Sequence, residues 1–335
     1  MSATGQSVAI LGAGSWGTAL AAHLATCQHD AVLWGRDAAV VEGINSHHIN
    51  QRYLPDIPLP EGLRATTELD EALRNASTIV VAVPSSALEK TLETIAPLIR
   101  SQQERAVVVW ACKGFAGTKL LHEVVYARLN DLAVPAVLSG PSFAGELAKG
   151  LPTATTIASS SLALAQRTCA LFHNGNFRAY ASEDMIGVQL GGALKNIYAI
   201  ATGVSDGLGF GANTRAALIT RGMAEIQRLA VPMGARAETL TGLSGMGDLV
   251  LTCTDDQSRN RRFGLALGAG ESPDKAIEQI GQVVEGARAV ESAISLAKLH
   301  DLDLPIATQV HALVHEGRSA KEAVQQILAR APSTE

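Results

Sequence analysis

A glycine-rich turn between two strand-like segments near the N-terminus constrains the fold more than any other feature of this chain. An apolar segment at residues 8–11 leads into Gly-Ala-Gly-Ser-Trp-Gly at residues 12–17. A helix-like segment follows at residues 18–27, and a second apolar segment at residues 31–34 ends in Gly-Arg-Asp at residues 35–37. Strand, glycine turn, helix and second strand in this order are typical of a dinucleotide-binding βαβ unit.

Each glycine of the turn has a separate expected role. Gly12 permits the tight turn, Gly14 lets the backbone approach a pyrophosphate, and Gly17 lets the helix lie close to the strand. The free N–H groups at the start of the helix then face the phosphates. The turn therefore predicts a dinucleotide cofactor.

The residues after the second strand bear on which dinucleotide binds. Asp37 is suited to accept hydrogen bonds from a ribose 2′-hydroxyl, which favours NADH, whereas Arg36 is suited to pair with a 2′-phosphate, which favours NADPH. Because both residues are present, we expect a preference for NADPH, and NADH stays open.

Composition narrows the class of protein. The chain has 335 residues, 47% of them hydrophobic, which is enough for two domains with sizeable cores. The net charge is −5 with no dense basic stripe, so no nucleic-acid partner is expected. We expect no signal peptide and no membrane span, because the N-terminal charge pattern is absent and the apolar runs are strand-sized. Four separated cysteines without a CxxC pair predict a reduced, cytoplasmic protein without disulfides or zinc.

The first half of the chain alternates strand-like and helix-like segments. Apolar runs at residues 78–83, 106–111 and 136–139 are separated by helical stretches. This pattern predicts an α/β fold: a Rossmann-like, doubly wound parallel sheet that binds ligands beyond the carboxyl ends of its strands. Residues 153–158 and 177–181 are expected to extend the sheet.

The second half reads as helical. We predict helices at residues 186–204, 214–233 (with Thr214 as cap), 258–267, 272–280, 285–299 and 319–329. The domain prediction is therefore a dinucleotide-binding domain over residues 1–189 and an all-helical, substrate-binding domain over residues 190–335. The last residues, 332–335, are expected to be disordered.

Three charged residues are candidates for chemistry. Lys195 stands among apolar and small residues, where it either supplies a proton to a developing alkoxide or extends to solvent. Lys113 follows a predicted strand and so either faces the cofactor crevice or is a solvated loop lysine. Asp248, in a glycine-rich turn, either holds a lysine in position or caps a helix.

A polar helix start is the candidate for binding a phosphate. Residues 255–262 read Asp-Asp-Gln-Ser-Arg-Asn-Arg-Arg, and Ser, Asn and Arg at a helix N-terminus suit a phosphate monoester. Simple capping with solvated arginines is the alternative. His311 and His315 have metal-like spacing but no third ligand, so we interpret them as ordinary surface or core histidines.

Together, these motifs resemble the NAD(P)-dependent glycerol-3-phosphate dehydrogenases of bacteria. The resemblance covers nearly the whole chain. The segments that carry it are residues 12–19, 33–37, 53–55, 83–85, 113–114, 138–144, 193–196, 242–248, 258–260 and 284–286. Gly140-Pro141-Ser142, Leu194-Lys195-Asn196 and Ser258-Arg259-Asn260 in this order are more specific than the glycine turn.

The resemblance implies reversible hydride transfer between NAD(P)H and dihydroxyacetone phosphate, giving sn-glycerol 3-phosphate for phospholipid synthesis. It implies Lys195 as the proton donor and acceptor, and no metal. The implied substrate-binding residues are Lys113, Gly140, Ser142, Lys195, Asp248, Ser258, Arg259 and Asn260. The implied cofactor-binding residues are Gly12, Gly14, Ser15, Trp16, Gly17, Arg36, Tyr53, Lys113, Ala144, Arg259, Val283 and Glu285.

Two other functions stay open at this point. One is another two-domain NADPH-dependent reductase, acting on a 3-hydroxy acid or a ketopantoate-like acid, which would not need a phosphate site at residues 258–260. The other is a non-enzymatic NADPH sensor, in which Lys195, Lys113 and Asp248 together would have no purpose. A homodimer also stays open.

Overall fold

A computed structural model describes residues 5–100 and 104–329. The described residues divide into two compact units. The first contains the residues up to Cys112 together with Leu121–Met185, and the second contains Lys113–Leu120 together with the residues from Ile186 onward. The predicted domain boundary after residue 189 lies within a helix that begins at Met185.

The first unit is built on an eight-stranded sheet. The strands of the chain are β1 Ser7–Leu11, β2 Asp30–Trp34, β3 Arg64–Thr66, β4 Thr78–Val81, β5 Ala106–Trp110, β6 Phe115–Ala116, β7 Lys119–Leu120, β8 Ala133–Ser139, β9 Thr153–Ser159 and β10 Phe177–Ser182. The sheet order is β10-β9-β8-β5-β4-β1-β2-β3, whereas β6 and β7 form a separate antiparallel hairpin in the second unit. The predicted Rossmann-like sheet is therefore confirmed.

The direction of two strands differs from the prediction of a wholly parallel sheet. β9 pairs antiparallel with β8, and β10 runs parallel to β9, so the two strands that extend the sheet point against the other six. Burial still follows the expected pattern. Ile79, Val80 and Val81 of β4 are all fully buried, and successive residues of a strand face opposite sides, so both faces of the sheet are covered.

Helices occupy the connections between these strands. They are α1 Ser15–Thr26, α2 Ala38–His47, α3 Leu69–Leu73, α4 Leu88–Ile99, α5 Leu121–Leu129, α6 Ala144–Ala148 and α7 Leu162–Phe172, with short 3₁₀ turns at Ser85–Ala87 and Asn130–Leu132. α1 packs against α6 and α7, and α4 packs against α3 and α5.

The second unit is helical apart from its hairpin. Its helices are α8 Met185–Gly207, α9 Ala212–Ala230, α10 Ala237–Thr241, α11 Asp248–Thr254, α12 Arg259–Gly268, α13 Pro273–Ile280, α14 Glu285–Leu299, α15 Pro305–His315 and α16 Ala320–Leu328, with a π-helical turn at Leu243–Gly247. The prediction that Thr214 caps a helix is wrong, because α9 begins at Ala212 with Gly211 as its cap. The expectation of disorder for residues 332–335 lies outside the described residues.

α8 is buried from Gly187 to Ser205, and glycines let α12 approach it closely. A Cβ at Gly203 would lie 2.1 Å from the carbonyl oxygen of Arg261, and a Cβ at Gly264 would lie 2.1 Å from that of Ile200. Real Cβ atoms do not approach oxygen so closely, so backbone contact between α8 and α12 requires glycine at these positions. None of the helices in the described part of the chain is long and apolar enough to cross a membrane.

Candidate functional site

The glycine turn of the first unit has the geometry of a phosphate cradle. Gly12 has φ +117°, a conformation that favours glycine. A Cβ at Gly17 would lie 1.9 Å from the carbonyl oxygen of Gly12, so α1 can start this close to β1 only without a side chain. A Cβ at Gly14 would meet no atom within 4 Å, which leaves the backbone accessible from that side. The residues present therefore fit a dinucleotide pyrophosphate at the start of α1.

A loop after α2 is fastened to this turn by side-chain hydrogen bonds. Ser15 Oγ donates to the carbonyl oxygen of Tyr53 at 3.0 Å. The buried Asn50 Nδ2 donates to the carbonyl oxygen of Ala13 at 3.0 Å and to Thr18 Oγ1 at 2.8 Å. Two of the predicted cofactor-binding residues, Ser15 and Tyr53, are thereby brought together. The sequence prediction did not include Asn50.

Two further predicted cofactor residues lie beside α1. Trp16, in its first turn, is half-buried and packs against the core of this unit. Ala144 is the first residue of α6, the helix that packs against α1. Both positions are compatible with the predicted contacts.

Arg36 and Asp37 follow β2. Arg36 is exposed, and both carboxylate oxygens of Asp37 accept hydrogen bonds. Asp37 caps α2, because its Oδ1 accepts from the Ala39 N–H at 3.1 Å. Its Oδ2 accepts from Arg52 Nη1 at 3.0 Å. The guanidinium of Arg52 also lies 5.3 Å from the centroid of the Tyr53 ring.

Gly140 and Ser142 follow the carboxyl end of β8. Gly140 has φ +147°, and a Cβ there would lie 2.9 Å from Thr155 Cα on β9. Ser142 Oγ donates back to the carbonyl oxygen of Gly140 at 3.1 Å. These contacts explain why glycine is required here. The predicted role of both residues in substrate binding stays a prediction.

In the second unit, one buried carboxylate holds two ammonium groups. Asp248 Oδ1 accepts from Lys195 Nζ, and Asp248 Oδ2 accepts from Lys113 Nζ at 2.5 Å. Asp248 is fully buried, Lys195 is nearly so, and the Lys113 side chain is 18% exposed. Three residues distant in sequence thus form one cluster with a net charge of one positive unit when all are ionised.

Burial changes the acidity of Lys195. Loss of hydration lowers the pKa of Lys195 to about 8, because the charged form is the more costly one to bury. The Asp248 carboxylate opposes this shift and the Lys113 ammonium adds to it. A lysine with such a pKa can both release and accept a proton near neutral pH.

Thr252 completes the surroundings of the Lys195 ammonium. Its Oγ1 lies 2.5 Å from Lys195 Nζ and donates to the main-chain oxygen of Asp248 at 2.6 Å. The sequence prediction missed Thr252. The available signal was its position one helical turn after Asp248, which puts both residues on the same face of a helix.

A close contact between backbones places Asp248 opposite α8. A Cβ at Gly191 of α8 would lie 2.5 Å from the carbonyl oxygen of Ser244 in the π-helical turn. A Cβ at Gly245 would lie 1.9 Å from the carbonyl oxygen of Leu240. The turn can therefore lie directly against α8, one helical turn before Lys195, and α11 begins with Asp248 immediately after it.

The start of α12 is joined to the residue after Lys195. Asn260 Nδ2 donates to Asn196 Oδ1 at 2.9 Å, and Asn260 Oδ1 accepts from the Gly286 N–H at 2.9 Å. Ser258 caps the helix, with its Oγ accepting from the Arg261 N–H at 3.2 Å. The sequence prediction included Ser258 and Asn260 and missed the partner, Asn196.

Arg259 is exposed on the first turn of α12. Its Nη1 donates to Gln282 Oε1 at 3.2 Å, which brings it to the loop that carries Val283 and to Glu285, the first residue of α14. The neighbouring Arg261 is buried and pairs with Asp206 and with Asp256, 2.9 Å away. Four predicted residues of this unit, Arg259, Asn260, Val283 and Glu285, therefore belong to one local structure.

The two histidines with metal-like spacing have other partners. His311 Nδ1 lies 3.0 Å from Glu316 Oε1, and His315 Nε2 lies 2.8 Å from the carbonyl oxygen of Ala287. Within the described residues, no group of three side chains is arranged to hold a metal ion.

Comparisons with known proteins point to one family along nearly the whole chain. Sequence models named NAD-dependent glycerol-3-phosphate dehydrogenase N-terminus and C-terminus match residues 7–165 and 184–325. A Thioalkalivibrio sulfidiphilus protein named glycerol-3-phosphate dehydrogenase (NAD(P)+) is 55% identical over 325 residues, which are 96% of this chain and 97% of that one. A Stenotrophomonas maltophilia protein of the same name is 50% identical over 332 residues, covering 98% and 96% of the two chains. The crystal structure of glycerol-3-phosphate dehydrogenase from Coxiella burnetii, 46% identical, superposes with a TM-score of 0.92 and covers 98% of this chain and 100% of that one.

Proposed function

The chain belongs to the NAD-dependent glycerol-3-phosphate dehydrogenase family, and from this membership we infer its reaction. It is an NAD(P)-dependent oxidoreductase that transfers a hydride reversibly between NAD(P)H and dihydroxyacetone phosphate, giving sn-glycerol 3-phosphate. Glycerol 3-phosphate is the backbone of glycerophospholipids, so the reaction fits a role in lipid biosynthesis.

We propose Lys195 as the residue that moves the proton. When bound, the nicotinamide cofactor would supply the hydride, and negative charge would develop on the ketone oxygen of the substrate. The Lys195 ammonium stabilises that charge and donates its proton, leaving a neutral amine. The observation that supports this role is the cluster of Lys195, Asp248 and Thr252, because it holds a buried ammonium of lowered pKa in one position.

The charges of Asp248 and Lys113 favour proton transfer from Lys195 to the substrate oxygen. Before it, one carboxylate faces two ammonium groups, and the excess positive charge attracts a developing alkoxide. After it, Asp248 and Lys113 remain as a neutral pair, so the deprotonated lysine leaves no buried charge unpaired. We propose that these two lysines polarise the carbonyl without a metal, so a chelator should leave the rate unchanged.

We propose the start of α12 as the site for the substrate phosphate. Ser258 caps this helix start, Arg259 carries an exposed guanidinium on its first turn, and the link from Asn260 to Asn196 relates this position to Lys195. Binding energy from a remote phosphate can orient the carbonyl at the reacting centre. Gly140 and Ser142 are kept as proposed substrate residues on the family resemblance alone.

For the cofactor, we propose a preference for NADPH with NADH accepted. Arg36 is exposed and in the described structure makes no ion pair, so its guanidinium is available to a 2′-phosphate. Gly12, Gly14, Ser15, Trp16, Gly17, Tyr53, Lys113, Ala144, Arg259, Val283 and Glu285 are proposed as the other cofactor contacts.

A spectrophotometric assay at 340 nm tests the reaction and the preference together. We expect NADPH oxidation with dihydroxyacetone phosphate, slower turnover with NADH, and little turnover with unphosphorylated dihydroxyacetone. Oxidation of NADPH by a 3-hydroxyacid precursor or ketopantoate alone would favour the other reductase class, and no turnover with any substrate would favour an NADPH sensor.

The variant Arg36→Ala tests the assignment of the preference. It should raise KM for NADPH more than for NADH, by about tenfold to over a hundredfold, because a charge-assisted pair with phosphate is lost. Equal changes for the two cofactors would show that Arg36 does not bind the 2′-phosphate.

A further inference from the structure

We propose that Arg52 is a second determinant of cofactor specificity, and that it acts by neutralising Asp37. This inference rests on the proposed NADPH preference and explains how a chain with an acidic residue after β2 can have it. Arg52 lies on the loop that is fastened to the glycine turn and, unlike Arg36, was not suggested by the spacing of the motif.

Both oxygens of Asp37 are already engaged. Oδ1 accepts from the Ala39 N–H at the start of α2, and Oδ2 accepts from Arg52 Nη1. A ribose 2′-hydroxyl is recognised by a carboxylate that accepts its hydrogen bond. With Arg52 in place, Asp37 has less capacity for that bond, so the feature that would favour NADH is weakened.

The charge at the end of β2 also depends on Arg52. Arg36 and Asp37 alone sum to zero, whereas the addition of Arg52 gives one net positive charge. A 2′-phosphate carries close to two negative charges and would be repelled by an unpaired carboxylate beside it. Arg52 therefore removes a repulsion as well as a competing hydrogen-bond acceptor.

The position of Arg52 is defined from two sides. Its guanidinium lies over the Tyr53 ring at 5.3 Å, and the Tyr53 carbonyl accepts from Ser15 in the first turn of α1. The ion pair with Asp37 therefore lies beside the loop that is hydrogen-bonded to the glycine turn.

The same pair contributes little to the stability of the fold. The side chains of Arg52 and Asp37 are 63% and 44% exposed, and exposed ion pairs are weak in water. Loss of Arg52 should therefore change cofactor choice without unfolding the protein. A matched control exists at the other end of β2, where Arg64 Nη2 lies 2.6 Å from Asp30 Oδ1 with both side chains exposed.

Isothermal titration of the full-length enzyme with two probes tests the proposal without catalysis. Adenosine 2′,5′-bisphosphate reports on recognition of the 2′-phosphate, and 5′-AMP reports on the remainder of the adenosine site. In Arg52→Ala we expect about tenfold weaker binding of the bisphosphate, with 5′-AMP binding unchanged or tighter. Arg64→Ala should match the wild type with both probes, and both variants should keep the thermal midpoint.

A double-mutant cycle tests whether Arg52 acts through Asp37. In an Asp37→Asn background the repulsion is gone, so adding Arg52→Ala should weaken bisphosphate binding by less than threefold. An undiminished tenfold loss in that background would overturn the proposed mechanism, since Arg52 would then contact the phosphate itself.

The remaining outcomes separate this inference from the one it rests on. If the wild type binds the bisphosphate no more tightly than 5′-AMP, the NADPH preference itself is wrong, and the inference fails with it. If the wild type shows the preference and Arg52→Ala retains it in full, the preference stands and only the role of Arg52 is rejected.

Discussion

Asp248 and Thr252 lie four residues apart on α11, and this spacing brings an oxygen of each to the same ammonium group, that of Lys195. Lys195 belongs to α8, so two helices are required to fix one nitrogen atom. A lysine side chain otherwise has four flexible torsions, and ordering them in advance lowers the entropic cost of reaching the reactive geometry.

Replacing Lys195 with alanine should abolish nearly all turnover. Loss of a positioned proton donor typically reduces the rate by about 10²- to 10⁴-fold. NADPH binding, measured by calorimetry, should stay almost unchanged. The exposed Lys298 provides the control, and Lys298→Ala should keep wild-type kcat. A Lys195→Ala enzyme that keeps a tenth or more of kcat would contradict the assignment.

The two directions of the reaction should respond oppositely to pH. If Lys195 is the proton donor, reduction of the ketone needs its ammonium form, so kcat for reduction should fall as pH rises through about 8. Oxidation of the alcohol needs the neutral amine, so its kcat should rise over the same interval. Parallel initial-rate profiles from pH 6 to pH 10 provide the measurement.

The variant Asp248→Asn should shift the pH–rate profiles of both reaction directions toward lower pH. The Asp248 carboxylate raises the pKa of Lys195 against the effect of burial. Its removal should therefore lower that pKa, and the midpoint of each profile should fall below pH 8. An upward shift, or an unchanged midpoint with lower activity, would mean that Asp248 does not set the acidity of Lys195.

Arg259→Ala should weaken use of dihydroxyacetone phosphate far more than it changes stability. If the phosphate orients the carbonyl, kcat should fall as KM rises, because remote binding energy is used at the reacting centre. Arg262, also exposed on the first turn of α12, is the matched control. A change in kcat/KM under threefold for Arg259→Ala, as expected of a solvated arginine, would reject the phosphate site.

The sequence predicted the elements whose signal is local. The glycine turn, the strands around it and most helices of the second half follow from periodicity, and the helices predicted to begin at Ser258, Ser272 and Ser319 begin one residue later, with these serines as their N-caps. The reversed direction of β9 and β10 was missed, because an apolar strand has the same sequence pattern in either direction. The hairpin of β6 and β7 was missed because two-residue strands leave no periodicity.

The candidate site shows a similar division. Sequence alone left Lys195 undecided between a buried acid and a solvated lysine, and its contact with Asp248 comes from tertiary structure. Thr252 follows Asp248 by one helical turn, but that spacing alone does not show that both side chains reach the same lysine. Arg52 was missed because its partner, Asp37, was interpreted from the glycine motif without the loop that lies beside it.

Gly264→Ala should destabilise the helical unit and weaken the proposed phosphate site together. The new methyl group would lie 2.1 Å from the Ile200 carbonyl oxygen, so α12 must move away from α8. Overpacking of this kind typically costs about 1–3 kcal/mol. Chemical denaturation measures it, with Gly175→Ala as control because a Cβ there meets nothing within 4 Å. Equal stability of the two variants would show that the helices adjust freely.

Glu225 should make stability depend on pH near neutrality. It is buried on α9, where it accepts from the Ile306 N–H at 2.7 Å, the Ala307 N–H at 3.2 Å and the Tyr198 hydroxyl at 3.2 Å. Burial raises the pKa of Glu225 to about 7, although these hydrogen bonds oppose the shift. The folded state therefore binds this proton more tightly than the unfolded state does.

The sign of the pH effect follows from that difference. The stabilisation by the bound proton is complete below the ordinary pKa of about 4.5 and is lost as pH rises through about 7. Glu225→Gln removes the titration, so the unfolding free energy of the wild type relative to this variant should fall between pH 5 and pH 8, by an amount on the order of 3 kcal/mol at most. Glu322 in the capping box of α16 is the control, because hydrogen bonds from Ser319 lower its pKa and Glu322→Gln should leave this interval flat. Denaturation curves at pH 5 and pH 8 give the unfolding free energies of the wild type and the variants. If the unfolding free energy of the wild type relative to Glu225→Gln rises or stays constant between these pH values, the helix N–H groups keep the carboxylate ionised.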